Sequence, residues 1–346
     1  MQKTFTVGML QDDGAEWKLL EEQLSTGIVI LGVPGAGKSR WAWNFLREHV
    51  HNRRPYVVVG SGDLEGDLLA DHAKEFIRTG DKRLLEKTHL LELSPFRLPR
   101  IAAFDPPDWS TKHRDFLHVL RRAWQETAVQ ARAQALLRSK GEVDFGVQVR
   151  LSRVLTNVLM AASTMVEGRR LPFGKVKALV DVWHPEHFEV YNRASRGLPR
   201  ETLGDFEFLH ALRRPQDVRL ETESCLNLLR RSLGFLLTQA LSGTGEEPSF
   251  SMQRAVEQGD NVIVSVKRSS YCSHDQNILF ASMLIQDWFE AKLNCPRDKR
   301  RGSTLFIDEA HEYLRMLPDL PYYQRICRKY EGAIVLATQD ISSMRS

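Results

Sequence analysis

Eight residues between a short apolar run and a helical stretch are of the types that hold a phosphate: Gly32-Val33-Pro34-Gly35-Ala36-Gly37-Lys38-Ser39. Glycine lets backbone N–H groups curl around an anion with no Cβ in the way. A helix that starts at Lys38 aims its positive end at the same anion. The Lys38 ammonium adds a point charge at the β- and γ-phosphates, and the Ser39 hydroxyl is a ligand for Mg²⁺. This is the GxxxxGK[ST] (P-loop, or Walker A) spacing in its required strand-to-helix context. It marks Gly32, Pro34, Gly35, Ala36, Gly37, Lys38, Ser39 and Arg40 as the nucleotide contacts. A chance glycine-rich turn is the competing reading, and the full match in that context weighs against it.

A second set lies 270 residues further on, at Leu305-Phe306-Ile307-Asp308-Glu309. A buried strand ending in two acids delivers Asp308 to a sheet edge, beside the phosphate loop, to hold Mg²⁺. Glu309 then stands where a general base polarises an attacking water. Alone this pattern is weak, because many strands end in a polar turn; paired with a P-loop it is strong, and the second acid favours hydrolysis over a binding switch. His311 completes a DEAH string, but the wide spacing from the P-loop argues against a helicase of that type, and His311 reads as a helix-start residue. Gln339 ends the next strand, where an amide would sense the γ-phosphate or the lytic water. Arg325, Arg328 and Lys329 precede that strand. Arg325 and Arg328 share a helix face. Arg328 offered to a neighbouring subunit would stabilise transition-state charge; the competing reading is a solvated basic face.

These residues need a sheet to hold them. Gly27–Leu31, Tyr56–Val59, His89–Leu93, Asn261–Val266, Thr304–Ile307 and Ala333–Ala337 are short, apolar and rich in β-branched residues, as buried strands are. Helical stretches over Lys38–Val50, Gln276–Lys292 and Tyr322–Tyr330 alternate with them, which predicts a mainly parallel sheet covered on both faces. Glu16–Leu24 reads as a short helix. Between Thr111 and Leu241 only helical patterns recur: Phe116–Leu137, Val147–Met165 and Val218–Leu241. The expected architecture is therefore an α/β core, residues 1–105 and 250–346, split by an all-α insertion over 106–249. His184-Pro185-Glu186-His187 reads as a loop, because a proline between the histidines breaks helical ligand geometry. Trp41 and Trp43 read as core, with an adenine contact as the alternative.

The chain has 346 residues, 42% hydrophobic and 27% charged, an ordinary globular composition. Its net charge of +4 argues against a nucleic-acid coat protein. Residues 112–170, however, hold 11 Lys or Arg against 5 Asp or Glu, a net of +6, so this stretch is the candidate DNA- or partner-facing surface. An ordinary bundle with arginine-rich faces is the equal alternative. The four cysteines form no CxxC pair, which points to neither a zinc ribbon nor a disulfide framework. No apolar run approaches the length of a membrane span.

The ordered set GVPGAGKS, a long helical insertion, LFIDEAHEYL and RICRKYEGAIVLATQD resembles the conjugative-transfer and type IV secretion ATPases of the HerA–FtsK superfamily. LELSPFRLP (Leu91–Pro99) and LPRETLGDFEFL (Leu198–Leu209) resemble further segments of that family, and Arg328-Lys329 with Gly332 resembles its arginine–lysine motif. The resemblance implies a RecA-like P-loop core and a hexameric ring that hydrolyses ATP with Mg²⁺ at subunit interfaces. It implies roles for Lys38 and Ser39 at phosphate and Mg²⁺, Asp308 and Glu309 as metal ligand and base, Gln339 as sensor and Arg328 as trans-acting finger. The implied partners are DNA or protein substrates and secretion-channel proteins, with a cytoplasmic location, peripheral at the inner membrane. The chain differs from the family pattern in three places. No large domain precedes the P-loop, Gly60-Ser61-Gly62 replaces the acid after the second strand, and Ser346 follows Gln339 closely. Two other readings stay open: a HerA-like DNA translocase, and a nucleotide-binding assembly scaffold.

Overall fold

The computed structural model describes residues 4–9, 16–33, 35–60, 64–96, 98–101, 165–166, 169–170, 240, 250–267, 271–314, 317 and 320–339. The chain divides into two compact units. The first comprises Met1–Leu93, Met252–Ser270 and Phe280–Ser346; the second comprises Ser94–Ser251 and Tyr271–Leu279.

In the first unit an antiparallel pair, β1 (Thr4–Met9) and β2 (Glu16–Leu20), leads through α1 (Glu21–Leu24) to β3 (Ile28–Leu31). The expected helix over Glu16–Leu24 is thus half strand. Pairing with β1 overrides the local helical spacing, a non-local effect that strand propensity alone does not encode. There follow α2 (Lys38–Asn52), β4 (Tyr56–Gly60), α3 (Leu64–Thr79), α4 (Arg83–Glu86) and β5 (Thr88–Glu92). In the second unit Met165–Val166 (β6) and Arg169–Arg170 (β7) pair antiparallel, two two-residue strands within the stretch expected to be helical. The rest of the first unit runs α5 (Met252–Gln258), β8 (Asn261–Ser265), β9 (Ser303–Ile307), α7 (His311–Leu314), α8 (Leu320–Cys327), a 3₁₀ turn (Arg328–Tyr330) and β10 (Gly332–Thr338). Between β8 and β9 runs α6 (His274–Asn294). The expected helix Phe116–Leu137, all but Ala240 of Val218–Leu241, most of Val147–Met165, the segment Leu198–Leu209, the His184–His187 loop and nearly all of the basic stretch 112–170 lie outside the described residues.

Six strands form one parallel sheet in the order β3-β10-β9-β4-β8-β5. β4, β9 and β10 are buried at every position, as strands covered on both faces must be. Along β10, Ala333, Val335 and Ala337 join Phe45 and Leu46 of α2, Leu68 of α3 and Phe5 of β1 in one core cluster. Alternation turns Gly332 to the other face. There the fully buried Trp288 of α6 comes so near that a Cβ at Gly332 would sit 3.2 Å from its ring. Trp41 and Trp43 pack against the first cluster, and Trp41 stacks on Phe45 at 4.9 Å. Cys272, Cys295 and Cys327 are buried free thiols. Among the described residues no helix is long and apolar enough to cross a membrane.

Two histidines in this core set an acid limit. Burial lowers His49 from 6.5 to about 3 and His72 from 6.5 to about 4, so both are neutral when folded. Unfolding frees them to take up protons, so their contribution is complete above about pH 6.5 and is lost as pH falls through about 4 and then about 3. We expect unfolding free energy to fall between pH 6.5 and 4.5. His49→Gln should lower it at every pH but flatten the slope by up to ~1.4 kcal/mol per pH unit. Denaturant titrations across that range read the slope; an unchanged slope would refute the assignment.

Candidate active site

All six strands are parallel, so their carboxyl ends share one edge. β10 pairs Thr338 with Leu31 of β3 and Leu336 with Ile307 of β9, and β4 pairs Val59 with Ile307. The residues that follow, Gly32, Gln339 and Asp308, therefore emerge side by side. β10 lies between β3 and β9, and it carries Gln339 into the gap between the phosphate loop and Asp308.

The loop after β3 has the backbone that its sequence requires. Gly35 and Gly37 have φ of +80° and +84°, a region closed to most side chains, and Gly37 is the N-cap of α2. Gly32 is close-packed, since a Cβ there would sit 3.2 Å from that of Ala36. The Lys38 ammonium reaches back over the loop and donates to the Gly32 carbonyl at 2.8 Å. Ser39 and Arg40 are exposed on the first turn of α2. Pro34 lies outside the described residues.

Across the gap, the Asp308 backbone N–H donates to the Val59 carbonyl at 2.9 Å, which locks the end of β9 to β4. The next residue, Glu309, has φ of +48°, uncommon for a side chain other than glycine. Two bonds hold it there. Its N–H donates to Asp308 Oδ1 at 3.0 Å, and the Ala310 N–H donates to the Ala337 carbonyl at 2.8 Å. Strain of this kind persists only where the surroundings enforce it.

The structure brings Glu309 and Gln339 into contact: Gln339 Nε2 donates to Glu309 Oε1. The other carboxylate oxygen, Oε2, is buried without a hydrogen bond. It faces His311 Nδ1 at 3.5 Å, and His311 shares a hydrogen bond with Thr338 Oγ1 at 3.3 Å. His311 does start α7, as its sequence suggests, but its ring also belongs to this cluster. Its position two residues after Glu309 is the only sequence clue, and the crossing to Thr338 is tertiary.

Burial, and next the Glu309 carboxylate, push the Asp308 carboxyl above its ordinary value; the Glu309 amide and the Lys38 ammonium pull it down. A buried carboxylate near a second one is a place where a cation lowers the energy. A hydroxyl and a carboxylate are the hard oxygen donors that Mg²⁺ takes, with water and phosphate completing its shell. Ser39 and Asp308 therefore fit Mg²⁺. Among the described residues no group of three or more His, Cys, Asp or Glu is arranged to hold a metal by itself.

Arg328 is not in this cluster. Its nearness to Gln339 in sequence is undone by β10, whose seven residues separate them by ~20 Å. Arg328 and Lys329 are exposed at the opposite edge of the sheet, and Arg325 is exposed on α8.

A parallel sheet with a P-loop after one strand, two acids after another and a polar amide between them is a RecA-like P-loop core. The same fold is found in solved structures of VirB4 and of the coupling protein TrwB. VirB4 of Thermoanaerobacter pseudethanolicus aligns over 99% of this chain and 78% of its own, with a TM-score of 0.57 at 14% identity. The bacterial conjugative coupling protein TrwBdeltaN70, in a trigonal form with sulphate, aligns over 99% and 73%, with a TM-score of 0.57 at 11% identity. The plasmid coupling protein TrwB in complex with ADP and Mg²⁺ aligns over 99% and 73%, at 0.54 and 12%. At these identities the likeness is one of fold. No protein-family model and no curated protein sequence matches the chain.

Proposed function

We propose that this chain is an ATP-hydrolysing motor of the conjugation or type IV secretion kind, powering transfer of DNA or protein substrates or assembly of their channel. The contact of Glu309 with Gln339, between the phosphate loop and Asp308, carries this reading. In it Lys38 and the loop amides hold the β- and γ-phosphates of ATP. Glu309 Oε1 accepts a proton from the attacking water. Gln339, already bonded to that oxygen, orients the water and reports the loss of the γ-phosphate down β10. Ser39 and Asp308 would hold Mg²⁺, which supplies neutralising charge at the phosphate oxygens.

Arg328 lies too far from this site to serve it within one subunit, so we assign it to a neighbouring subunit's phosphate in a homo-oligomeric, hexameric ring. This matches the resemblance of Arg328-Lys329 to the family's arginine–lysine motif. DNA would contact residues 112–170, and the location would be cytoplasmic, peripheral at the inner membrane through channel proteins. The core would be residues 1–105 and 250–346, with 106–249 inserted.

Turnover per subunit should rise with protein concentration, because each site needs a second chain. Arg328→Ala and Lys38→Ala proteins, each inactive alone, should regain hydrolysis when mixed. Steady-state ATPase assays over a concentration series, with and without DNA, test both points. Absence of hydrolysis at every concentration would leave a nucleotide-binding scaffold, and a mixture no better than its parts would remove Arg328 from the site.

A further inference from the structure

The end of the sheet opposite the phosphate loop holds a cavity of about 340 Å³. It lies where the chain enters β4, β8 and β9, beside the carboxyl end of α2. No residue of the motif set lines it. We propose that this cavity is a second binding site, specific for a small phosphorylated molecule with a diphosphate-like head.

Charge is the first argument. The walls carry four cations, Arg53, Arg54, Lys87 and Arg301, against two carboxylates, Glu21 and Asp81. Arg53 is paired with Asp81 at 3.1 Å, and Arg54 with Glu21. Lys87 donates to the Gln258 carbonyl at 2.8 Å and lies 3.6 Å from Asp260. Among the described residues, none forms an ion pair with Arg301. The two histidines in the wall, His49 and His72, are kept neutral by burial and do not add to the excess.

Construction is the second. Arg54 is 4% exposed, and a buried guanidinium is costly unless its donors are used. Its Nε donates to Thr304 Oγ1 at 3.2 Å and its Nη1 to Glu21, while its Nη2 has no partner among the described residues. Two glycines make room for the arginines. A Cβ at Gly302 would sit 2.5 Å from Arg54 Nη1, and one at Gly259 would sit 3.0 Å from Arg301 Cδ. Gly259 also has φ of +69°.

The third is an unused polar atom. His72 is fully buried and lines the cavity, its Nε2 is hydrogen-bonded to the Tyr56 hydroxyl at 2.7 Å, and its Nδ1 has no partner. Such an atom is costly to leave unmet. When Tyr56 donates to Nε2, the imidazole proton sits on Nδ1, an unmet donor in a residue of the cavity wall.

Burial decides the ligand class. A nucleic-acid backbone is bound by exposed side chains along a surface, whereas here Arg54 and His72 lie inside. The volume is within the range of small-molecule sites. A buried guanidinium, Arg54, beside an exposed arginine with no ion-pair partner among the described residues, Arg301, favours a compact anion, and planar arginine forks match phosphate oxygens.

The test uses inorganic pyrophosphate, titrated calorimetrically into the full chain carrying Lys38→Ala so that the phosphate loop is weakened. We expect one saturable site per chain. Adding Arg301→Glu should weaken it at least tenfold, while Arg301→Lys should keep affinity within a few-fold. Arg301 is exposed, so both variants should melt at the parent temperature without ligand, which separates lost binding from lost folding. Single orthophosphate should bind more weakly than pyrophosphate. The proposal is overturned by unchanged affinity in the Arg301→Glu protein, which would place binding at the phosphate loop, by absence of binding, or by competition from a short single-stranded oligonucleotide. None of these outcomes bears on whether the chain hydrolyses ATP.

Discussion

Glu309→Gln should leave ATP binding intact and lower its hydrolysis by about 10²–10⁴-fold, the contribution of a positioned general base. The substitution keeps the shape of the side chain but removes its proton acceptor. Its amide oxygen can still accept from Gln339 Nε2, so the contact is kept while the basic oxygen is lost. The backbone should tolerate the exchange, because the φ of +48° is held by bonds through the Glu309 and Ala310 amides, not through the side chain. Lys38→Ala should act differently and lose nucleotide affinity as well as turnover, since its ammonium lies over the loop itself. Binding of a fluorescent ATP analogue, measured beside steady-state turnover, separates the two. Undiminished turnover in Glu309→Gln would move the base elsewhere, and His311, 3.5 Å from the free carboxylate oxygen, would be the next residue to test.

The largest effect on stability should come from Trp288→Ala, at about 3–5 kcal/mol. Trp288 is fully buried on α6, meets Phe289 edge-on at 5.2 Å and fills the space over Gly332. Truncation would open a cavity against the amino end of β10, the strand that carries Gln339. Trp288→Phe should cost much less. It keeps most of the apolar contact, and the indole Nε1 has no hydrogen-bond partner to lose. Thermal and denaturant unfolding of the two variants, with far-ultraviolet circular dichroism to confirm the fold, would show the contrast. A Trp288→Ala protein as stable as the parent would mean that α6 does not anchor this face.

Much of this site is legible in the sequence because its parts are local. A glycine with positive φ, a lysine at a helix start and two acids at a strand end are set by residues within one turn of each other. The described residues of the phosphate loop follow β3 and the Asp308-Glu309 pair follows β9, and all six sheet strands are found within a residue or two. Between residues 4 and 24 the reading fails. EWKLL carries a spacing that a helix could use, and only pairing with the preceding strand β1 makes it a strand.

Strand order is the part that no local pattern encodes. That β10 lies between β3 and β9 follows from how a chain interrupted by more than 150 residues packs back on itself. That order brings Gln339 onto Glu309, draws His311 into the cluster and sends Arg328 to the far edge of the sheet. It also gathers Arg54, His72 and Arg301 around a cavity, from segments that share no motif. The sequence by itself determined which groups are candidates for the chemistry, because those groups are defined by covalent neighbours. Only the tertiary structure decided which of them meet, because contacts across a sheet depend on the order in which its strands pack.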